Sequence, residues 1–355
     1  MKRSKLRGLA IGMFLCVVPR LHASITYTCD SSITSNAGQA PGGTCNFLNS
    51  STAGLYNSTF TNANASIYIK LGPVAGGESQ FLLGATSYSN YKTQFLGEST
   101  DTAARATLPA SEPDVSGDVF VTAAEGQALG YDVFTVNFGL MADGTTQCQL
   151  GTAGCYNGVI TIGGQLYFRS GIDSSSQYDF FSIAQHETDE VLGTASCLTF
   201  SVSGSPPAAS APTKDGCTDT NGSGLAPTDL YRYSSTGTHA WINASSDHAN
   251  LGAYFSVNGG ATSIATYNNG PNGGDYGDFT FQSSCASDLV QDYAALSDCS
   301  PDITTDAGTP EIQLLNAVGF NLGSGALPEP ASIGLMAAGL AALGVAGYRR
   351  RKRAA

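Results

Sequence analysis

The chain has 355 residues, of which 12% are charged, and a formal net charge of −12. Its sixteen basic residues cluster at the two ends, so residues 24–348 keep six of them against all 28 acidic residues, a formal charge near −22. So acidic a body is a poor partner for nucleic acid or anionic lipid and suits the binding of cations.

Residues 1–23, MKRSKLRGLAIGMFLCVVPRLHA, have the order of a secretory signal. Lys2, Arg3, Lys5 and Arg7 form a basic start, Leu9 to Pro19 an apolar core too short to span a bilayer, and Ala23 a cleavage residue. Cys16 leaves with this segment, and eight cysteines remain, an even number that suits disulfides in an exported chain. They form four local couples, so sequential pairing is expected: Cys29–Cys45, Cys148–Cys155, Cys197–Cys217 and Cys285–Cys299. No Cys-x-x-Cys spacing occurs, which argues against a structural zinc site of that kind.

Residues 46–57 read as a helix, and ASIYIKL (65–71) places Ile67, Ile69 and Leu71 on one side, as a strand does. Residues 86–96 read as a short helix with Tyr88, Tyr91 and Phe95, and residues 118–130 as a strand followed by a helix that stops at Gly130. GVITIGGQLYFRS (158–170) has the pattern of a hairpin about Gly163 and Gly164. A central helix follows over 179–192, then a Ser/Pro/Gly/Thr-rich loop over 203–226 closed by Cys197 and Cys217. Residues 229–234 read as a strand, 253–268 as a second hairpin about Gly259 and Gly260, and 268–279 as a Gly/Asn/Asp loop. The last helix spans 310–322, with Leu314, Leu315 and Val318 on one face. The expected fold is a single α+β domain over 24–322: a mixed sheet with a central helix, an irregular, disulfide-stapled C-terminal half, and a linker at 323–327.

The tail, residues 328–355, has three parts in order: Pro328-Glu329-Pro330, an apolar segment over 331–348, and a basic cluster that includes Arg349, Arg350 and Arg351. The apolar segment is at the short end of a membrane-spanning helix, and the basic end stays cytoplasmic by the positive-inside rule. This order resembles the bacterial PEP-CTERM sorting signal. The resemblance implies export, transient anchoring in the inner membrane, processing by exosortase-type machinery, and a final place at the cell surface, in the envelope or in the extracellular matrix.

On the central helix, Phe180, Phe181, Ala184, Thr188, Val191 and Leu192 share one apolar side, and Gly193 supplies the stop. His186 and Glu190 are one turn apart and can touch one metal ion, with Glu187 beside them as a base for water. A carboxylate in place of a second imidazole still suits zinc, and relatively favours harder divalent ions such as manganese or calcium. Candidates for a third ligand are His239, His248 and Asp229, with Asp275 and Asp278 as further carboxylates. The same charged residues on a helix flank equally suit plain solvation.

HETDEVLG resembles the zincin helix H-E-x-x-H-x-x-G, matching it at His186, Glu187 and Gly193. TFTNANASIYI (59–69), YDFFSIAQHETDEVLGTASC, DLYRYS, YFSVNGG, GGDYGDF and LLNAVGF are similar to a group of secreted, PEP-CTERM-bearing, metalloprotease-like proteins. The resemblance implies a zincin-like sheet, a divalent cofactor, catalysis by Glu187 and a protein substrate. It departs at Glu190, which replaces the second histidine, at Ser196, where a third ligand is usual, and in the lack of a Met-turn, since Met141 lies upstream. Two readings stay open: a metal-dependent peptidase at the cell surface, and a non-catalytic surface or matrix protein on a degenerate zincin scaffold.

Overall fold

A computed structural model describes residues 23–34, 43–113, 118–131, 137–163, 166–167, 177–198, 217–219, 222–241, 252–268, 275–304 and 306–323. The signal over 1–22, the tail over 328–355, Pro328, Glu329, Pro330, Arg349, Arg350, Arg351 and His248 lie outside them. Among the described residues no helix is long and apolar enough to cross a membrane; the apolar segment at 331–348 is outside that set.

The N-terminal half is built on β1 (Ser24–Cys29), β2 (Asn64–Leu71), β3 (Gly77–Phe81), β4 (Leu83–Ser87), β5 (Asp118–Thr122), β6 (Phe138–Met141), β7 (Gln147–Gln149), β8 (Cys155–Tyr156) and β9 (Gly158–Ile162). The main sheet has the order β1-β2-β9-β3. β1, β2 and β9 run parallel, and β3 pairs antiparallel to β9 with Ser79 opposite Ile160. The alternation in β2 is the physical basis of its placement: Ile67 and Ile69 are fully buried, while Ser66 and Tyr68 are not.

The expected hairpin at 158–170 does not form. β9 is buried along its whole length and lies between β2 and β3, while Leu166–Tyr167 pairs with Tyr178–Asp179. A continuous apolar run is the mark of a central strand rather than of a half-exposed hairpin arm. Gly163 serves close packing, not a turn: a Cβ there would overlap the Val74 carbonyl.

The central helix spans Phe180–Asp189 and continues as a wide turn over Glu190–Thr194. Asp179 caps it, accepting from the Phe181 amide at 3.1 Å and the Ser182 hydroxyl at 2.7 Å. The chain leaves at Gly193, whose φ of 127° favours glycine. The helix crosses the sheet at Gly158, where any Cβ would meet Val191. Its other side is closed by the helical stretch 44–59, which brings Phe47 to 4.1 Å from Phe181 and the Tyr56 hydroxyl to 2.7 Å from Asp189. The predicted apolar face is buried, but Glu187, Asp189 and Glu190 are buried too, so the helix is enclosed nearly all round.

In the C-terminal half, Pro227–Tyr231 is a short 3-10 turn, and the strand expected at 229–234 starts only at Arg232. Pro227 has no amide to give a ladder and is pre-set for a helical first turn. Arg232–Ser235 pairs with Tyr254–Phe255, which pairs with Ala265–Thr266, so the second predicted hairpin is present. Among the described residues Pro310–Val318 is the last helix, ending at Gly319 rather than at the expected 322, with Leu314, Leu315 and Val318 fully buried. Four disulfides join Cys29 to Cys45, Cys148 to Cys155, Cys197 to Cys217, and Cys285 to Cys299.

Candidate metal centre

His186 is the partly exposed member of the central helix's polar group, with a side chain 16% accessible. Its Nδ1 lies 2.8 Å from the Val290 carbonyl. A carbonyl can only accept, so Nδ1 carries a proton, and whenever the ring is neutral it is Nε2 that holds the lone pair. Nε2 faces two carboxylates, at 3.5 Å from Asp278 Oδ1 and 3.9 Å from Glu190 Oε1. Burial draws the His186 pKa down, but Asp278, Glu187 and Glu190 outweigh it and raise the pKa to about 9.

Each carboxylate is held from behind. Ser79, on the edge strand β3, donates to Glu190 Oε2. Gln291 Nε2 donates to Asp278 Oδ1 at 3.2 Å, and the Asp275 amide donates to Asp278 Oδ2 at 2.8 Å. Orienting partners of this kind are what a metal ligand needs. Among the described residues, His186, Glu190 and Asp278 are the group whose ligand atoms all lie within 4.8 Å of one another. Neighbouring donors on a tetrahedral ion at about 2.0–2.1 Å are about 3.3 Å apart, so this donor set fits a divalent ion with little adjustment.

Asp278 is brought in by two tertiary devices. Gly277 packs against the helix exit, where a Cβ would come within 2.9 Å of the Ser196 amide nitrogen. Arg232 donates to the Tyr276 carbonyl at 2.7 Å and lies 4.7 Å and 5.3 Å from the ring centres of Tyr267 and Tyr276. The predicted alternatives are engaged elsewhere. Asp229 accepts from the Ser196 hydroxyl at 2.5 Å and from the amides of Ala226 and Cys197 at 2.8 and 3.0 Å. Burial raises its pKa to about 6 against these donors and Arg232. His239 stacks between Tyr233 and Trp241 at 4.3 and 4.4 Å, and burial lowers its pKa to about 4. Asp275 accepts from the Gly277 amide at 2.8 Å and stabilises the turn. Met141 sits in β6, paired with Cys155.

Glu187 shares the opening with His186. Its carboxylate lies against Gly77 at the start of β3, where a Cβ would overlap Oε1 and come within 2.7 Å of Ile183. The opening is a cleft of about 400 Å3 bordered by Gly77, Ile183, Tyr178 and Tyr293 as well as by the ligands.

Residues 326–352 match the PEP-CTERM protein-sorting motif. No curated protein and no solved structure matches the chain. The chain is therefore an exported, exosortase-sorted protein of the cell envelope.

Proposed function

We propose that the exported body is a zincin-like, metal-dependent peptidase whose ion is held by His186 Nε2, Glu190 and Asp278. The convergence of one imidazole and two carboxylates on the wall of a cleft carries this reading. The bound ion would supply Lewis acidity towards a peptide carbonyl and water. Glu187 is the proton acceptor for the attacking water and returns that proton to the leaving amine. The Val290 carbonyl holds the His186 tautomer, and Ser79 and Gln291 fix the two carboxylates. β3 supports a peptide substrate: among the described residues it ends the sheet, and it borders the cleft at Gly77, so its outer edge can pair with an extended chain.

A second reading has its own support. With a pKa near 9, a protonated His186 would offset one of the two carboxylate charges without any ion, leaving a structural scaffold at the cell surface. The full chain, purified and analysed for metal by mass spectrometry, separates the two. Bound metal with caseinolysis that is lost on chelation and in Glu187→Ala supports the peptidase. No metal between pH 6 and 9 supports the scaffold and rejects the peptidase.

A further inference from the structure

Two of the three proposed ligands are held by neighbouring residues of one loop. The Val290 carbonyl lies 2.8 Å from His186 Nδ1, and Gln291 Nε2 donates to Asp278 Oδ1 at 3.2 Å. Among the described residues no helix or strand runs through 281–299, so no continuous ladder fixes this pair in place. Their aim has to come from contacts outside the loop. On one side Phe279 supplies them: its amide donates to the Gln291 carbonyl at 2.7 Å, and its carbonyl accepts from the Tyr293 amide at 3.0 Å.

The other side is a single carboxylate. Glu311 is the second residue of the last helix and is 3% exposed. Its Oε1 accepts from the Val290 amide at 2.9 Å. Its carboxylate also takes hydrogen bonds from the amides of Gln291 and of Glu311 itself. Burial raises the Glu311 pKa, while these amides and the charge of His186 act the other way. Hydrogen bonds to an ionised group are about twice as strong as neutral ones, and the first turn of a helix favours negative charge. The carboxylate therefore ties the two residues that aim at His186 and Asp278 to a helix seated in the core through Leu314 and Leu315. A side chain without an acceptor at 311 would leave buried amides unpaired and release the Val290–Gln291 segment on this side.

We propose that Glu311 is a positioning residue of the metal centre, acting on His186 through Val290 and on Asp278 through Gln291. Its part in metal binding rests on the reading of His186, Glu190 and Asp278 as ligands; its hold on the Val290–Gln291 segment does not. The test uses the full chain, stripped of metal and labelled with nitrogen-15. The His186 Nδ1 proton, bonded to the Val290 carbonyl, gives a slowly exchanging ring N–H signal, assigned by its loss in His186→Gln. Glu311→Ala is expected to lose that signal and to bind zinc, read by calorimetry, about 10–100-fold more weakly. Glu311→Gln, whose side-chain oxygen can still accept from the Val290 amide, should recover both. Glu311→Asp keeps the charge but withdraws it from Val290, and should speed exchange of the ring proton. Phe95→Leu is the control for lost stability alone: Phe95 is fully buried on the helix Tyr88–Glu98, which packs on β4 and β5, and this variant should melt earlier yet keep the ring signal and the zinc affinity. Parent-rate exchange of the ring proton in Glu311→Ala, or in Glu311→Asp where circular dichroism shows the alanine variant unfolded, overturns the proposal. So does loss of the signal in Phe95→Leu. A parent chain that takes up no zinc counts against the peptidase alone, because the ring signal is read without metal.

Discussion

Asp278→Asn tests the metal centre at its least expected member. The substitution keeps shape and removes one charge 3.5 Å from His186 Nε2. A unit pair at that distance interacts by about 4–5 kcal/mol at an effective dielectric of about 20, as an upper bound, because one side of the cleft meets water. A quarter to a half of that value corresponds to about 1–2 pH units in a titration midpoint. Asp278 is the largest of the influences that raise the His186 pKa to about 9. In the metal-stripped variant the midpoint should therefore fall by at least ~1 unit. The body holds three histidines, so a proton NMR titration can assign each ring signal. Bound divalent metal should drop in parallel, measured by mass spectrometry. An unchanged His186 midpoint together with full metal loading would show that Asp278 does not face His186 in solution, and would refute the assignment.

Glu187→Gln should lower casein hydrolysis by about 10²–10⁴-fold while bound metal stays at the parent level, the signature of a lost general base; loss of metal along with activity would argue against that role. Gly77→Ala places a methyl against Glu187 and Ile183 and should reduce turnover, with a stability cost of about 1–3 kcal/mol by urea denaturation. Parent-like turnover in that variant would mean that the Glu187 carboxylate is not held against β3. Glu125 is fully buried, and burial pushes its pKa well above the ordinary 4.5. The native state therefore keeps a proton that the unfolded chain has lost, and stability falls by up to about 1.4 kcal/mol per pH unit as pH rises above the unfolded value. Glu125→Gln should flatten that slope between pH 5 and 7, and an unchanged slope would contradict the burial argument.

The part of the centre that lies on one helix was legible in the sequence, because a fixed 3.6-residue period decides which side chains stack. His186, Glu187 and Glu190 follow from spacing alone, as does the stop at Gly193. The third carboxylate, Asp278, stood only as one candidate among several. Asp278 is 92 positions from His186, in a loop whose composition speaks only of turns. What places it is the close approach at Gly277 and the clamp of Arg232 on the Tyr276 carbonyl, both tertiary facts. The one available signal was the resemblance carried by GGDYGDF. Histidines drew attention as better metal ligands, yet His239 is held by two aromatic rings. β9 misled for a related reason: Gly163 and Gly164 after GVITI suggest a turn, whereas its neighbours β2 and β3 are set by the tertiary fold.

The charge imbalance of the body gains a physical meaning once its few cations are located. Lys70 donates to the Ala142 carbonyl, Lys92 to Pro109, Arg105 to Ser99 and Arg232 to Tyr276. Each of these four described basic residues thus braces main-chain carbonyls in a loop-rich fold. The buried carboxylates Glu125, Asp189, Glu190, Asp288, Asp292 and Glu311 outnumber the buried guanidinium of Arg232. Amide and hydroxyl donors serve some of their oxygens, as at Glu311 and Glu190. The remainder need protons or bound ions, because an isolated buried carboxylate is too costly. Glu125, with no charged partner among the influences on its pKa, takes the proton. His186, Glu190 and Asp278 present converging ligand atoms that a divalent ion can join. An exported protein meets divalent ions outside the cell, which is the setting that the proposed centre at His186, Glu190 and Asp278 requires.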